Sequence, residues 1–398
     1  MNFDCIIVGG GPVGLIASKE IASAGCSVCV IEEHQEIGYP AKCSGLFSVS
    51  GLKELGMELD SSVITATIKG GRFYSPSGNE LLAYSDVERA RVVERKMFDK
   101  HLAREAIRAG AKIKLRTKVM GIKVDSDVSV ATKGFEGEEV LKSRLLIGAD
   151  GIGSNIVRWS GIKTPKKVVS CARMEVENAE IEDDIAELYL SREYAPNFYA
   201  WIMPKGEVYE VGVGSRGSKD TPLTLLKKFI SDHPIASKKI KGKSMLEVSI
   251  GGIPLGYPEE TVSNRIMIVG DAASQVKAST GGGVITGGIA ARIAGRAAVK
   301  ATEEEDFSKE FLKREYEDRW KEELGTELQA HSALREMLDG LTDEELDDLF
   351  KIAIEEDIPK LMTEFQDTDR PSEFVKELLK NERLLAKLQK FMDLKSVV

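Results

Sequence analysis

Residues 3–8 form an apolar run that leads into Gly9-x-Gly11-x-x-Gly14, and residues 12–24 then have helical character, opening on Pro12. This order of strand, glycine turn and helix is what a bound dinucleotide requires. The first glycine permits a tight turn, the second lets the backbone approach a pyrophosphate, and the third lets the helix pack closely. The helix N-terminus, with Pro12 in its first turn, then faces the phosphates and stabilises their charge. A second β-branched run at residues 27–31 ends beside Glu32, where a carboxylate can accept hydrogen bonds from both ribose hydroxyls. Glu33 is the alternative for that role, since strand ends read from sequence shift by a residue or two. An acid at this place disfavours a 2′-phosphate, so NADP fits the pocket poorly.

A second glycine series, Gly212, Gly214 and Gly217, fails the same test. It follows a strand, but the next helix leads to no clear strand ending in an acid. It is expected to be a glycine-bearing strand of a substrate domain, which leaves one dinucleotide site.

Two later turns choose the dinucleotide. Residues 145–147 run into Gly148, Ala149, Asp150 and Gly151, and residues 266–269 run into Gly270, Asp271, Ala272 and Ala273. An Asp at a strand end beside glycine can bond a ribityl hydroxyl while nearby amides face a pyrophosphate or flavin. Either Asp alone could be an ordinary turn residue. Both together, with the N-terminal turn, point to one FAD.

With 398 residues the chain exceeds the size of a single core, so two or three substructures are expected. The reading is α/β: an FAD-binding Rossmann-like domain, an interleaved β-rich substrate domain and a C-terminal helical region. The expected boundaries are 1–165 with 259–305 for the FAD domain, 166–258 for the substrate domain and 306–398 for the helices. Residues 40–90 contribute partly to the substrate side. Thr342 and Glu345 have the spacing of a capping box at one of the late helices.

The formal net charge of -9 argues against nonspecific nucleic-acid binding and against global attraction to an anionic bilayer, so any lipid contact must be local. Residues 278–291, the most apolar late stretch, are too short and glycine-rich to span a bilayer, and no secretory leader is evident at the start. The expectation is a cytoplasmic protein, peripheral to the membrane at most. Cys5, Cys26, Cys29, Cys43 and Cys171 are scattered without a disulfide framework, and Cys26 and Cys29 read as core residues of the second strand. His34, His101, His233 and His331 form neither a triad nor a metal spacing, and no metal is expected.

The three nucleotide signals resemble those of the superfamily that contains class A flavin monooxygenases and geranylgeranyl reductases, over residues 1 to about 300. Val93-x-Arg95-x-x-Phe98-Asp99 is similar to the segment whose arginine contacts the cofactor; the plainer reading of Arg95 is a solvated charge at a helix start. Pro40-x-x-Cys43-x-Gly45, Tyr199-x-Trp201-x-Met203-Pro204-Lys205-Gly206 and Gly281-Gly282-Gly283 resemble motifs of geranylgeranyl reductases, archaeal enzymes that saturate isoprenoid chains of membrane lipids. Met203 stands where the family has Phe, and Ala278 where relatives often carry Pro.

The resemblance implies a reductase that adds hydride and a proton across an alkene. It places Cys43, with Gly45, beside both substrate and flavin, where the thiol either donates the proton or shapes the pocket. Tyr199 and Trp201 alternate along a strand and project onto one face, as a wall of a prenyl tunnel or as core aromatics. The implied partners are an isoprenoid lipid and an external electron donor, either ferredoxin-like or a reduced nicotinamide. With no second nucleotide fold, NAD(P)H is expected to be at best a poor direct reductant. The rival readings are a flavin monooxygenase, a halogenase in which Tyr199 replaces one tryptophan of the characteristic pair, and a flavin electron carrier.

Overall fold

The computed structural model describes residues 2–240, 245–365, 369–378 and 380–388. The chain divides into two units, each assembled from three separated segments. The first holds the residues up to Ala41, Arg95–Lys167 and Pro254–Leu328; the second holds Lys42–Glu94, Val168–Ile253 and the chain from Gln329.

In the first unit the strands Ile266–Ile268, Gly137–Gly148, Asn2–Val8, Val28–Ile31 and Lys112–Lys114 lie side by side, all parallel. A parallel sheet is covered on both faces, which is why residues 5–8 and 28–31 are apolar without alternation and almost wholly buried. Val128–Gly134 and Lys118–Val124 extend the sheet as an antiparallel meander from Gly137–Gly148. Register decides where a ligand can sit. Val8 lies opposite both Ile31 and Gly148, and Gly148 lies opposite Ile268, so four strands end at one level. The loops that leave them share one carboxyl edge, the place where open α/β sheets bind ligands.

Helix Pro12–Ser23 packs on helix Val284–Glu304 along a seam of small residues. At Gly295 a β-carbon would stand 2.6 Å from Cβ of Glu20, and at Gly287 it would stand 2.9 Å from a Val13 methyl. The residues after 305 depart from the expected separate helical region. Tyr316 Oη donates to the Ile268 carbonyl at 2.6 Å, and Trp320 Nε1 donates to Thr261 Oγ1 at 3.0 Å. These contacts cover the short strands Val262–Ser263 and Ile266–Ile268, so the chain through Leu328 belongs to the first unit, and the boundary falls inside helix Asp318–Gly340.

The second unit holds a seven-stranded sheet in the order Met245–Leu255, Lys167–Val176, Val208–Ser215, Ala200–Lys205, Ile185–Tyr189, Gly70–Tyr74, Glu80–Tyr84. One face carries Ala172, Met174, Val211, Val213, Ala200 and Ile202, packed with Leu225, Leu226 and Phe229 of helix Pro222–Asp232. The opposite face carries Cys171, Arg173, Glu210, Gly212, Gly214, Trp201 and Met203, as the paired registers require. Lys42–Glu94 belongs wholly to this unit, where its strands Leu46–Ser48, Ala90–Val93 and Ile64–Ile68 form a small sheet of their own. Gly212 and Gly214 of the second glycine series lie on strand Val208–Ser215, as expected, and Gly217 follows its end. A β-carbon at Gly212 would stand 2.1 Å from the Trp201 ring and one at Gly214 2.3 Å from the Phe198 ring, so these glycines make room for aromatic rings. Thr342 and Glu345 form the expected capping box on helix Asp343–Glu355, whose Phe350 packs with Leu81 and Ile358.

His233, at the end of helix Pro222–Asp232, is buried among Tyr189, Tyr194 and Phe229. Its Nδ1 accepts the amides of Ile235 and Ala236 at 3.3 and 3.1 Å, and burial pushes its pKa down to about 4. In the unfolded chain a histidine titrates near 6.5, so below that pH the unfolded state binds a proton that the folded state refuses. Stability from this group is full above about pH 6.5 and falls as the pH drops towards 4. Urea unfolding at pH 7 and pH 4.5 should show the wild type losing about 2 kcal/mol more than His233→Gln.

Candidate functional site

The carboxyl edge of the parallel sheet supplies a cradle in the first unit. Gly9 has φ +110°, and a β-carbon there would stand 2.2 Å from the Ala149 carbonyl oxygen, so only glycine fits. Three crossing hydrogen bonds lock the strand exits: Gly9 N–H to Ile31 at 2.9 Å, Ala149 N–H to Val8 at 2.8 Å and Val269 N–H to Gly148 at 2.9 Å. Gly14 brings its helix against the turn, since a β-carbon there would stand 2.1 Å from the Gly9 carbonyl oxygen. Over Gly11 the space is open, with nothing within 4 Å of where a β-carbon would be. The helices that begin at Pro12 and Val284 follow Gly11 and Gly283, and neither start is capped by a side chain. Their first amides and dipoles form positive ends suited to phosphate.

Glu32 faces this turn. Its Oε2 accepts Gly10 N–H at 2.7 Å, while Oε1 accepts His34 N–H at 2.8 Å and lies 2.6 Å from His34 Nδ1. Glu33 does not: its side chain is 55% exposed and stands 4.0 Å from Lys118, because successive side chains of an extended segment point to opposite sides. Of the two acids, Glu32 is therefore the one that meets the glycine turn.

The two Asp turns differ. Asp150 accepts Ser154 Oγ–H at 2.5 Å, Asn155 N–H at 2.8 Å and Ile156 N–H at 3.2 Å, so its carboxylate fastens the start of helix Asn155–Ser160. Asp150, expected as a ribityl acceptor, thus also anchors a helix, and Gly151 with φ +70° turns the chain between them. Asp271 has no side-chain hydrogen bond among the described residues. Burial pushes its pKa up to about 6, opposed by the charge of Arg95. Arg95 is itself held by Asp99 at 3.0–3.2 Å. Gly283 gives Asp271 its space, for a β-carbon there would lie 2.8 Å from Asp271 Oδ1. Beside it, Gly281 adopts φ +76° and donates its amide to Lys277 at 2.7 Å, and Gly282 stands against the Lys277 side chain. A desolvated acid with unused acceptors, an open backbone at Gly11 and two uncapped helix starts fit a group bearing hydroxyls and a pyrophosphate.

The second unit brings the other motifs together. Cys43, expected among the cofactor contacts as well, belongs to this unit. Its Sγ accepts Gly45 N–H at 3.4 Å. Gly45, at φ +81°, lies so close to strand Ala90–Val93 that a β-carbon would stand 2.3 Å from the Val93 carbonyl oxygen. Tyr199 stacks on Phe198 at 4.3 Å and meets Trp201 edge-on at 5.9 Å. Burial pushes the Tyr199 hydroxyl well above the ordinary phenol range and the Cys171 thiol up to about 12. Cys43 is near enough to reinforce both shifts.

Sequence reasoning missed Glu210, Ser44 and Arg173. Glu210 is fully buried and accepts Trp201 Nε1–H at 2.9 Å, the Ser44 hydroxyl and Arg173 Nη1–H at 2.8 Å. The available signal was an acid in the middle of the otherwise apolar strand 208–215, since a carboxylate is buried only where donors await it.

Residues 2–291 match the family described as FAD binding domain. A digeranylgeranylglycerophospholipid reductase of Methanocaldococcus jannaschii is 39% identical over 353 residues, covering 87% of this chain and 89% of that protein. Digeranylgeranylglycerophospholipid reductase 2 of Methanopyrus kandleri is 37% identical, over 91% of this chain and 93% of its own. Among solved structures, a geranylgeranyl bacteriochlorophyll reductase-like protein from Thermoplasma acidophilum superimposes with TM-score 0.86 at 27% identity, covering 98% of this chain and 99% of that one. A flavin-dependent brominase superimposes with TM-score 0.73 at 17% identity over 96% of this chain and 100% of that one, a likeness of fold alone. The cofactor is FAD.

Glu32→Ala is expected to weaken FAD binding by about 1.5–3 kcal/mol, as for lost hydrogen bonds to a charged acceptor, and Glu33→Ala to leave it nearly unchanged. Titration of the apoprotein followed by flavin fluorescence ranks the two. Asp271 must be ionised to act as a pure acceptor, so FAD affinity should rise from about pH 5 to about pH 7 as its carboxyl loses the proton. Asp271→Asn should bind FAD more weakly at pH 7 and without that rise; an unchanged pH profile in the variant would take Asp271 out of the site.

Proposed function

Because the chain belongs to the digeranylgeranylglycerophospholipid reductase family of FAD proteins, we propose that it saturates carbon–carbon double bonds of geranylgeranyl chains in membrane-lipid precursors. What carries the reading, beyond family membership, is the meeting of the Cys43 motif and the Tyr199–Gly206 motif at one buried carboxylate. We assign the first unit to FAD and the second to the lipid. Gly9, Gly11, Pro12, Gly14, Glu32, Asp271 and the run Gly281, Gly282, Gly283 would hold the cofactor, with Arg95 beside Asp271. When bound and reduced, FAD supplies hydride to one alkene carbon.

The chain has to supply what remains. An isolated alkene needs a proton at its second carbon, a dry pocket and fixed alignment. Cys43 uses its sulfur as an acceptor for Gly45 N–H, so the thiol hydrogen is not committed to that contact. Burial keeps the Tyr199 hydroxyl and the Cys171 thiol protonated and neutral, and with the Trp201 ring they give an uncharged lining suited to an isoprenoid chain. Met203 replaces the family's Phe within a cluster with Ile68, Val92 and Ala186, where an adaptable thioether fills an apolar gap.

The electron donor is proposed to be external, ferredoxin-like or a reduced nicotinamide. The nicotinamide is the poorer direct donor, because the second glycine series is a packing device on a strand. Among the described residues no helix is long and apolar enough to cross a membrane, and lipid would be reached by peripheral contact.

Incubating the reduced holoprotein anaerobically with a digeranylgeranyl glycerophospholipid should yield products heavier by two hydrogens for each bond saturated. A lipid recovered with every double bond intact would sink the proposal, and oxygen consumption coupled to substrate would favour a monooxygenase. Cys43→Ser should retain FAD and flavin reduction while alkene turnover collapses, about a hundredfold if the thiol is the general acid. A modest fall instead would give Cys43 a pocket-shaping role.

A further inference from the structure

We propose that Glu210 is a positioning residue, whose carboxylate fixes the Cys43 thiol against the aromatic wall by holding Ser44. The proposal rests on the reading of Cys43 and Trp201 as parts of the lipid site. Glu210 has no solvent exposure, and a carboxylate taken out of water is tolerated only when donors replace its hydration. The two oxygens divide the work. Oε2 faces the cations, Arg173 Nη1 at 2.8 Å and Lys205 Nζ at 3.8 Å. Lys205 is also held by Glu175 at 2.5 Å and Arg173 by Glu247 at 3.2 Å, so both cations that face Glu210 are fixed by further carboxylates.

Oε1 faces the two motifs. It accepts Trp201 Nε1–H at 2.9 Å and, on the same atom, the Ser44 hydroxyl. Ser44 is the residue between Cys43 and Gly45. On its far side Gly45 is locked, with its carbonyl accepting Val93 N–H at 3.0 Å and its left-handed backbone pressed on that strand. Both residues that follow Cys43 are therefore fixed, one by a strand and one by Glu210. A single oxygen then sets where the cysteine loop stands relative to the indole.

The arrangement makes Ser44→Ala the informative variant, since it deletes the link while leaving the buried ion pair intact. In the holoprotein, alkylation of Cys43 by iodoacetamide, followed by peptide mass, should be about tenfold faster in Ser44→Ala, the loss expected of one hydrogen bond to a charged group. Glu210→Ala should accelerate it at least as much. The double variant should be no faster than Glu210→Ala, because Ser44 acts only through that carboxylate. With lipid, kcat should fall about tenfold while KM stays within about twofold, a split that general loosening would not give. Unchanged alkylation and kcat in a folded Ser44→Ala protein would overturn the proposal, as would independent, multiplying effects in the double variant. If Glu210→Ala fails to fold, Ser44→Ala decides alone. The alkylation readout needs no turnover: wild-type protein that reduces no alkene, yet shows the expected alkylation pattern, would refute the lipid-reductase reading and leave the positioning role standing.

Discussion

The backbone crossing at Gly9 and Ala149 constrains everything around it in the first unit, since any β-carbon at Gly9 would stand 2.2 Å from the Ala149 carbonyl oxygen. It exists because neighbouring parallel strands end at the same residue level and their exits must pass one another. Glycine at that crossing lets the exits stay close. Close exits let the helix from Pro12 begin directly over the sheet edge, and Gly14 keeps it there. The open space at Gly11 and the inward Glu32 lie beside that approach. A side chain at Gly9 would separate the strand from the turn and disperse the cradle.

The second unit solves a different problem. Its sheet is mostly antiparallel, so one face can be packed and the other left to a ligand. On the packed face the aliphatic residues of alternate positions meet helix Pro222–Asp232. On the other face glycines at 212 and 214 clear space for rings, and buried ionisable groups either stay neutral or are paired. Tyr199 and Cys171 stay protonated because burial opposes their charge, and Glu210 is matched by Arg173 and Lys205. An isoprenoid chain has no group that could satisfy a stray charge, so a wall of this kind would suit the lipid proposed above.

Family membership and physical structure agree on the class of chemistry while resting on different grounds. Relatives at 39 and 37% identity cover nearly the whole chain, which a shared fold alone would not require. The brominase at 17% shows that the same architecture accompanies other flavin chemistry. What separates such proteins lies in the residues facing the ligand, the role proposed above for Cys43, Tyr199, Trp201 and the carboxylate that joins their segments.

Much of this was legible along the chain because it is local. The Gly9 to Gly14 turn, the acid at Glu32, helix Arg95–Ala109, the strand bearing Gly212 and the capping box at Thr342 each depend on residues a few positions apart. Spacing alone could not choose between the two acids at 32 and 33, since side-chain direction depends on where the strand ends. Nor could it separate Asp150 from Asp271, which have the same local pattern; only the structure shows one anchoring a helix and the other with no side-chain hydrogen bond among the described residues. The placement of 306–328 with the first unit was hidden because Tyr316 and Trp320 find their acceptors near 261–268, more than forty residues away. Sequence by itself determined the nucleotide fold and its cofactor class, because turns and periodicity are set by neighbours. Tertiary structure decided that Ser44 and Trp201, 157 positions apart by subtraction of their numbers, share one oxygen of Glu210, because a buried carboxylate gathers donors from wherever the sheet brings them.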